Sequence, residues 1–325
     1  MIIVTGSEGF IGKNLVNEMI NRGYDEIVKL DTKKDKLDYI YQFLTTNAEN
    51  IKGIFHMGAI ADTKIMDRNL FDEYNVAPTM FIWNLCTEYN IPLIYASSAA
   101  TYGDGENGFD DENGIINLKP LNPYGWSKHQ IDVWAGVQSN HPEFWYGLKF
   151  FNVYGYGESH KGDMASVALQ LYEQLHTTNQ MKLFKSHKIG YQDGGQLRDF
   201  IYIDDVVDIC LFMFEKRPES GIYNVGTGKA RTYNHLAIAV YKSYNELYDE
   251  RPTSFYDQAV RVNKLFEFKD TLIYFDMPKK IRDKYQYFTE AKINKLRSCG
   301  YDKPFHELEE GIEKYVKKLK SEKNN

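Results

Sequence analysis

Along the first half of the chain, short apolar runs alternate with longer stretches of helical character. Ile2–Thr5, Glu26–Leu30, Gly53–His56, Pro92–Ala96 and Trp145–Phe150 are rich in β-branched and aromatic residues and too short to be helices, so they read as buried strands. Helical stretches between them, the first beginning near Phe10, imply crossovers and hence parallel pairing. The pattern predicts an α/β fold with a Rossmann-type, doubly wound parallel sheet. After Phe151 the order loosens into a helix over Met164–Thr177, a Gly-rich stretch at Gly190–Gly195, a strand-then-helix unit from Arg198 to Phe214 and a buried strand at Ile222–Val225. From Tyr233 onward the chain reads as mostly helix. Expected boundaries follow: a dinucleotide-binding domain of residues 1–150 and 198–228, and a smaller, mostly helical substrate domain of residues 151–197 and 229–325. No internal repeat or low-complexity linker interrupts the chain.

The chain has 325 residues, 43% hydrophobic and 26% charged, enough for two units that share or adjoin a core. With a net charge of −6 and no basic stripe, nucleic acid is not an expected partner. Lys317, Lys318 and Lys320 make a short basic tail that reads as the solvated end of the last helix. The longest apolar stretch, Val206–Phe214, holds Asp208 and is about half of the ~20 residues that span a bilayer, so no membrane partner is expected. Met1-Ile2-Ile3-Val4 runs straight into a strand without a charged leader, which predicts a cytoplasmic protein. Cys86, Cys210 and Cys299 are odd in number and far apart, which suits reduced thiols and offers no metal-type spacing.

Candidate chemistry starts at Thr5-Gly6-Ser7-Glu8-Gly9-Phe10-Ile11-Gly12, where glycines sit at a GxxGxxG spacing between the first strand and first helix. Bare backbone there admits a pyrophosphate to the helix N-terminus, whose dipole favours an anion. Asp31 follows after roughly the 20 residues expected for a ribose-binding acid. Asp31 points to NAD, whereas Lys33, Lys34 and Lys36 beyond Thr32 point to NADP, and both readings stand at this level. Met57, Gly58 and Ala59 end a strand where the cofactor would cross the sheet edge, and Asn75 is a candidate to hold that side by hydrogen bonds.

The second constellation is Tyr124-Gly125-Trp126-Ser127-Lys128, preceded by Ser97 and Ser98 at a strand end. Residues four apart share a helix face, so the Lys128 ammonium favours a Tyr124 phenolate, as a general base at neutral pH requires. Ser98 is placed to hydrogen-bond the same substrate oxygen.

These motifs, with Phe151-Asn152-Val153-Tyr154-Gly155 and Arg198-Asp199-Phe200-Ile201-Tyr202-Ile203-Asp204-Asp205, resemble those of the extended short-chain dehydrogenase/reductase family along nearly the whole chain. Three further segments, His160–Val167, Leu183–His187 and Tyr285–Ala291, resemble the ADP-L-glycero-D-manno-heptose 6-epimerases of that family. The resemblance implies a tightly held NADP and a nucleotide-sugar substrate oxidised at C6″ of the heptose to a ketone. That ketone turns about its C5–C6 bond and is reduced on the other face. It also implies a homo-oligomer that supplies heptose for lipopolysaccharide core biosynthesis. Tyr124 matches one acid/base group and Lys161 the other, with Lys161 and Val153 also lying by the cofactor. Asn152, Asp163, Gln170, Phe184, Lys185, Ser186, Arg198 and Tyr285 match positions that contact substrate. Asp163, Gln170 and Tyr156 stand where other members carry different side chains. Rival readings are another nucleotide-sugar epimerase or a 4,6-dehydratase, for which Ala99-Ala100-Thr101 lacks the needed acid, and a catalytically silent dinucleotide-binding regulatory protein.

Overall fold

The computed structural model describes residues 1–112, 114–246, 267–282 and 285–323. Within them the chain divides into two compact units, Met1–Phe151 with Ile203–Gly228 and Glu290–Pro304, and Asn152–Tyr202 with Lys229–Thr289 and Phe305–Asn325.

In the first unit, β1 (Ile2–Thr5), β2 (Ile27–Leu30), β3 (Gly53–His56), β4 (Leu93–Ser98), β5 (Trp145–Phe150) and β9 (Gly221–Val225) form one six-stranded sheet. The order is β2-β1-β3-β4-β5-β9, and every pairing is parallel. Parallel strands need helical crossovers, which here include Phe10–Asn21, Leu37–Thr46, Ala77–Glu88 and Pro123–Gly136. Helices cover both faces of such a sheet, which is why β1, β3 and β5 are buried at every residue and show no alternation. Ile3, Ile54, Leu93, Trp145 and Ile222 from successive strands pack with Leu44, Trp83 and Ile131 from the helices in one apolar core.

The second unit holds two small sheets. β6 (Asn152–Tyr154) runs parallel to β8 (Leu197–Tyr202), and β10 (Ala230–Thr232) pairs antiparallel on the other side of β8. β7 (Met181–Phe184) pairs parallel with β11 (Leu272–Phe275). Helix Tyr233–Tyr244, capped by Thr232 and His235, packs against helices Val167–Thr178 and Leu308–Lys323.

The units differ from the expected boundaries at Phe151, which falls in the first unit, and at two longer segments. Arg198–Tyr202 joins the second unit, because β8 takes β6 and β10 as partners and the edge next to β5 is filled by β9. Residues 290–304 join the first unit. There Ala291 packs with Tyr102, Phe109 and Phe151, while the Lys292 N–H donates to the Phe109 carbonyl at 3.1 Å and the Asn224 side-chain amide donates to the Lys292 carbonyl at 3.0 Å. Cys86 and Cys210 are buried, Cys299 is half-buried, and all three are free thiols. Among the described residues no helix is long and apolar enough to cross a membrane.

Candidate active site

The glycine loop lies at the C-terminal end of β1. Gly6 has φ +65°, and a Cβ on it would stand 2.5 Å from the Gly58 amide nitrogen, so the turn after β1 and the turn after β3 touch through bare backbone. A Cβ on Gly12 would stand 2.1 Å from the Gly6 carbonyl oxygen, so the first helix also presses on the loop. That helix starts at Phe10 with Gly9 as its N-cap and no side chain capping it. An uncapped helix start beside a glycine turn is a donor set suited to a pyrophosphate, and these residues fit a dinucleotide.

Asp31 is buried at the end of β2, and its carboxylate accepts the N–H groups of Glu8 and Lys33, both at 2.9 Å. Lys34 is paired with Glu8 at 2.7 Å, while Thr32, Lys33 and Lys36 are exposed. Asn75, expected at the cofactor, is instead engaged by protein. It accepts the Ile60 N–H at 2.8 Å and donates to the Ile60 carbonyl at 3.0 Å and the Ser127 hydroxyl at 3.1 Å. It therefore fixes the loop that follows Met57-Gly58-Ala59.

Sequence reading missed the relay beneath that loop. Thr79 donates to the Asn75 carbonyl, so its oxygen accepts from His56 Nε2 at 3.0 Å. The other ring nitrogen, Nδ1, then accepts from the Thr5 hydroxyl at 2.6 Å, and the Thr5 oxygen takes the Gly58 N–H at 3.4 Å. Burial, with the Lys128 charge beyond it, pushes the His56 pKa down to about 3 and keeps the ring neutral.

At the end of β4, Ser98 caps the turn Ala99–Tyr102, its oxygen accepting the Ala100 N–H at 3.1 Å. Helix Pro123–Gly136 begins with Asn122 accepting the Gly125 N–H at 2.8 Å and Pro123 in the first turn, an arrangement that starts a helix sharply. This brings Tyr124 to Ser98. Burial pushes the Tyr124 phenol up, the Ser98 hydroxyl donating to its oxygen pulls it down, and Asp132 adds an upward push. Burial pulls Lys128 down to about 8, opposed by Asp132, so the ammonium is retained at neutral pH. Ser98 and Tyr124 thus share a hydrogen bond, and Lys128 is buried four residues after Tyr124 on the same helix.

In the second unit, Lys161 is half-buried in the turn Ser159–Met164, where burial lowers its pKa and Glu158 opposes the fall. Glu158, which sequence reading did not single out, is buried. Its carboxylate accepts from the Gly155 N–H at 3.3 Å, the Ser166 N–H at 2.7 Å, the Ser166 hydroxyl at 2.6 Å and Tyr315 at 3.1 Å. These bonds hold the Lys161 turn. Gln170, expected on substrate, is another clasp of that turn, its amide donating to the carbonyls of Asp163 at 3.3 Å and Ala165 at 3.0 Å. Asp163 and Asn152 are exposed and Val153 is half-buried.

Around β7 and β11 lies an aromatic cluster with cations. The Phe184 ring stands 4.8 Å from Phe275 and 6.1 Å from Tyr285. Arg198 donates to the carbonyls of Leu197 and Gln286, with its guanidinium 5.7 Å from the Tyr233 ring and 5.2 Å from the Tyr285 ring. Tyr285 is held protonated by burial, Tyr233 acts in the same direction, and Arg198 opposes them. Lys185 lies 3.8 Å from Asp276. Ser186, expected on substrate, closes a local turn: its N–H donates to Asp193 at 2.8 Å and its hydroxyl to the Lys188 carbonyl at 3.0 Å. Tyr233 and Phe275 carried no signal of their own in the sequence, since aromatic residues are common throughout the chain.

Residues 2–226 match the model of the NAD dependent epimerase/dehydratase family. An ADP-L-glycero-D-manno-heptose-6-epimerase of Fusobacterium nucleatum subsp. nucleatum is 44% identical, with 97% of each chain covered. One from Nitratidesulfovibrio vulgaris is 38% identical over 98% of this chain and 97% of its own. Among solved structures, ADP-L-glycero-D-manno-heptose-6-epimerase of Helicobacter pylori matches with a TM-score of 0.74 at 27% identity, over 98% of this chain and 96% of its own.

Proposed function

The chain belongs to the NAD dependent epimerase/dehydratase family, and from that premise we infer that it interconverts ADP-D-glycero-D-manno-heptose and its L-glycero epimer by inversion at C6″. One observation carries the substrate. The likeness to ADP-heptose 6-epimerases covers 97% of this chain, running well past residue 226, where the family-wide match ends, and through the segments that diverge between substrates.

Bound at the Gly6–Gly12 loop, a nicotinamide dinucleotide supplies the hydride acceptor and donor. Tyr124 removes or returns the proton of the C6″ hydroxyl; the Ser98 hydroxyl lowers its pKa, and the Lys128 ammonium, four residues on in the same helix, favours the phenolate. Once the ketone has turned about its C5–C6 bond, a second group must handle the proton on the other face. Lys161 takes that role, because burial lowers its pKa and so makes its proton easier to give up than that of an exposed lysine. Arg198, fixed between two tyrosine rings, and Lys185 supply positive charge for the diphosphate, and Phe184 and Tyr285 supply faces for the nucleotide. Asn152 and Asp163, exposed, are read as sugar contacts.

We read the dinucleotide as NADP. Asp31 is occupied by two backbone donors, and the exposed Lys33 and Lys36 offer charge for a 2′-phosphate. The dinucleotide released by denaturing the purified protein, identified by mass, tests this, and NAD would overturn it. The family resemblance also supports a cytoplasmic homo-oligomer, which cell fractionation and sedimentation test. The function itself is tested by incubating ADP-D-glycero-D-manno-heptose with the protein and resolving the epimers. Appearance of the L-glycero form is expected. Unchanged substrate beside a turned-over UDP- or GDP-sugar would overturn the assignment.

A further inference from the structure

Behind Ser98, Tyr124 and Lys128 lies a buried charge pair to which the mechanism above gives no role. Asp132 stands one turn after Lys128 on the same helix face, and Lys149 comes from β5. Neither side chain is exposed, and Lys149 Nζ lies 2.5 Å from Asp132 Oδ2. Ser97, adjacent to Ser98, donates to Asp132 Oδ2 at 2.6 Å, and Tyr95 donates to Oδ1 at 3.1 Å. Lys149 also donates to Thr101 Oγ1 at 2.7 Å, whose own hydroxyl donates to the Ser98 carbonyl at 2.8 Å. A closed circuit of hydrogen bonds therefore joins the pair to both sides of Ser98.

Desolvating two charges is costly, and well-packed apolar side chains of similar volume generally hold a fold at least as well. Lys128 shows what the pair does for the site. It is a buried cation, and the carboxylate one turn away on its own helix is the anion that acts on it. Among the described residues, Asp110 and Asp111 are further buried carboxylates that act on Tyr102, and Asp132 is the one that acts on Lys128. His56 from β3 is neutral, Tyr95 from β4 and Tyr102 from the following turn are held protonated by burial, and His129 and Tyr124 on the same helix carry no negative charge at rest. The Lys149 ammonium lies 5.1 Å from the Tyr102 ring.

We propose that Asp132 is the counter-ion that holds Lys128 in its charged form, and that Lys149 is a positioning residue that fixes the Asp132 carboxylate and attenuates its field while anchoring the Ser98 turn. The proposal rests on the reading of Tyr124 and Lys128 as the acid/base pair.

Asp132 acts on Lys128, and Lys149, bound to the same carboxylate, works against that action, which gives the test. Removing the Asp132 charge makes Lys128 easier to deprotonate, and removing the Lys149 charge makes it harder. Asp132→Asn is expected to move the basic limb of the kcat/KM pH profile down by about one pH unit, and Lys149→Met to move it up. Asp132→Glu should keep the limb close to its original position. KM should change little, since neither residue is placed on substrate. Should Lys149→Met fail to fold, as judged by circular dichroism, Asp132→Asn is compared with Asp132→Asn/Lys149→Met, whose limb should lie at the higher pH. Limbs that stay in place, or that move the same way in both single variants, overturn the proposal. Lys128→Met separates the underlying reading: if it leaves turnover intact, the Tyr124–Lys128 assignment itself fails. If it abolishes turnover while the limbs of the Asp132 and Lys149 variants do not move, only the counter-ion proposal fails.

Discussion

Replacing Gly12 with Ala sets helix propensity against packing. Position 12 lies in the first turn of helix Phe10–Asn21, where Ala is intrinsically better than Gly by about 1 kcal/mol. Against this, the new Cβ would stand 2.1 Å from the Gly6 carbonyl oxygen, 2.8 Å from its carbon and 3.1 Å from Ser7 Cα. A carbon–oxygen contact wants roughly 3.3 Å, so loop and helix must part by about 1.2 Å. All three neighbours are backbone atoms, and the Gly6 carbonyl is held by the Gly9 N–H at 3.0 Å, so no side chain can turn aside. Overpacking of this kind costs about 3 kcal/mol, at the upper end of its usual range, and outweighs propensity by about 2 kcal/mol. For a chain of 325 residues that is a fall in Tm of about 3 °C. The same displacement spoils the phosphate cradle, so retention of the dinucleotide through purification should be lost. Differential scanning fluorimetry with and without added NADP reads the first effect, and absorbance of the purified protein the second. A Gly12→Ala protein that melts a few degrees higher and keeps its dinucleotide would refute the close-approach argument and leave propensity in command.

Tyr124→Phe should fold and retain the dinucleotide while kcat falls by ~10²-fold or more, and an unchanged rate removes Tyr124 from the mechanism. Lys161→Ala should impair kcat even at saturating substrate; a change confined to KM would mark a binding role, and a normal kcat with both epimers would leave Tyr124 as the single base. His56 predicts a pH dependence of stability. Its folded value, about 3, lies below the ordinary 6.5, so the unfolded chain binds the proton first and stability is lost as pH falls through that window, by at most about 1.4 kcal/mol per pH unit. Denaturant melts between those limits should show a shallower slope for His56→Gln, and equal slopes would mean that His56 is not held neutral.

Much of the first unit was legible in the sequence because its signals are local. A run such as Ile2–Thr5 can only be a strand buried on both faces, and glycines spaced by three at its end mark a turn that admits backbone. Tyr124 and Lys128 share a helix face because four residues make about one helical turn, whatever surrounds the helix. Partner choice is different in kind. Arg198–Tyr202 reads as a strand on any periodicity, yet its own residues do not say which strand it pairs with, and β6 and β10 took it into the second unit. Polar side chains pose the same difficulty. Asn75, Gln170 and Ser186 are the right chemical types for ligand contact, but Asn75 is bonded to Ile60 and Ser127, and Gln170 and Ser186 donate to carbonyls of their own turns. Asp132, one turn beyond Lys128, is within reach of sequence reasoning, whereas its partner Lys149 lies 17 residues away in an apolar strand and has no local signal. Local spacing determines which side chains share a turn or a face. Which buried charge is neutralised, and which hydrogen bond is left for a substrate, depends on groups far away in sequence, and only the tertiary structure sets their distances.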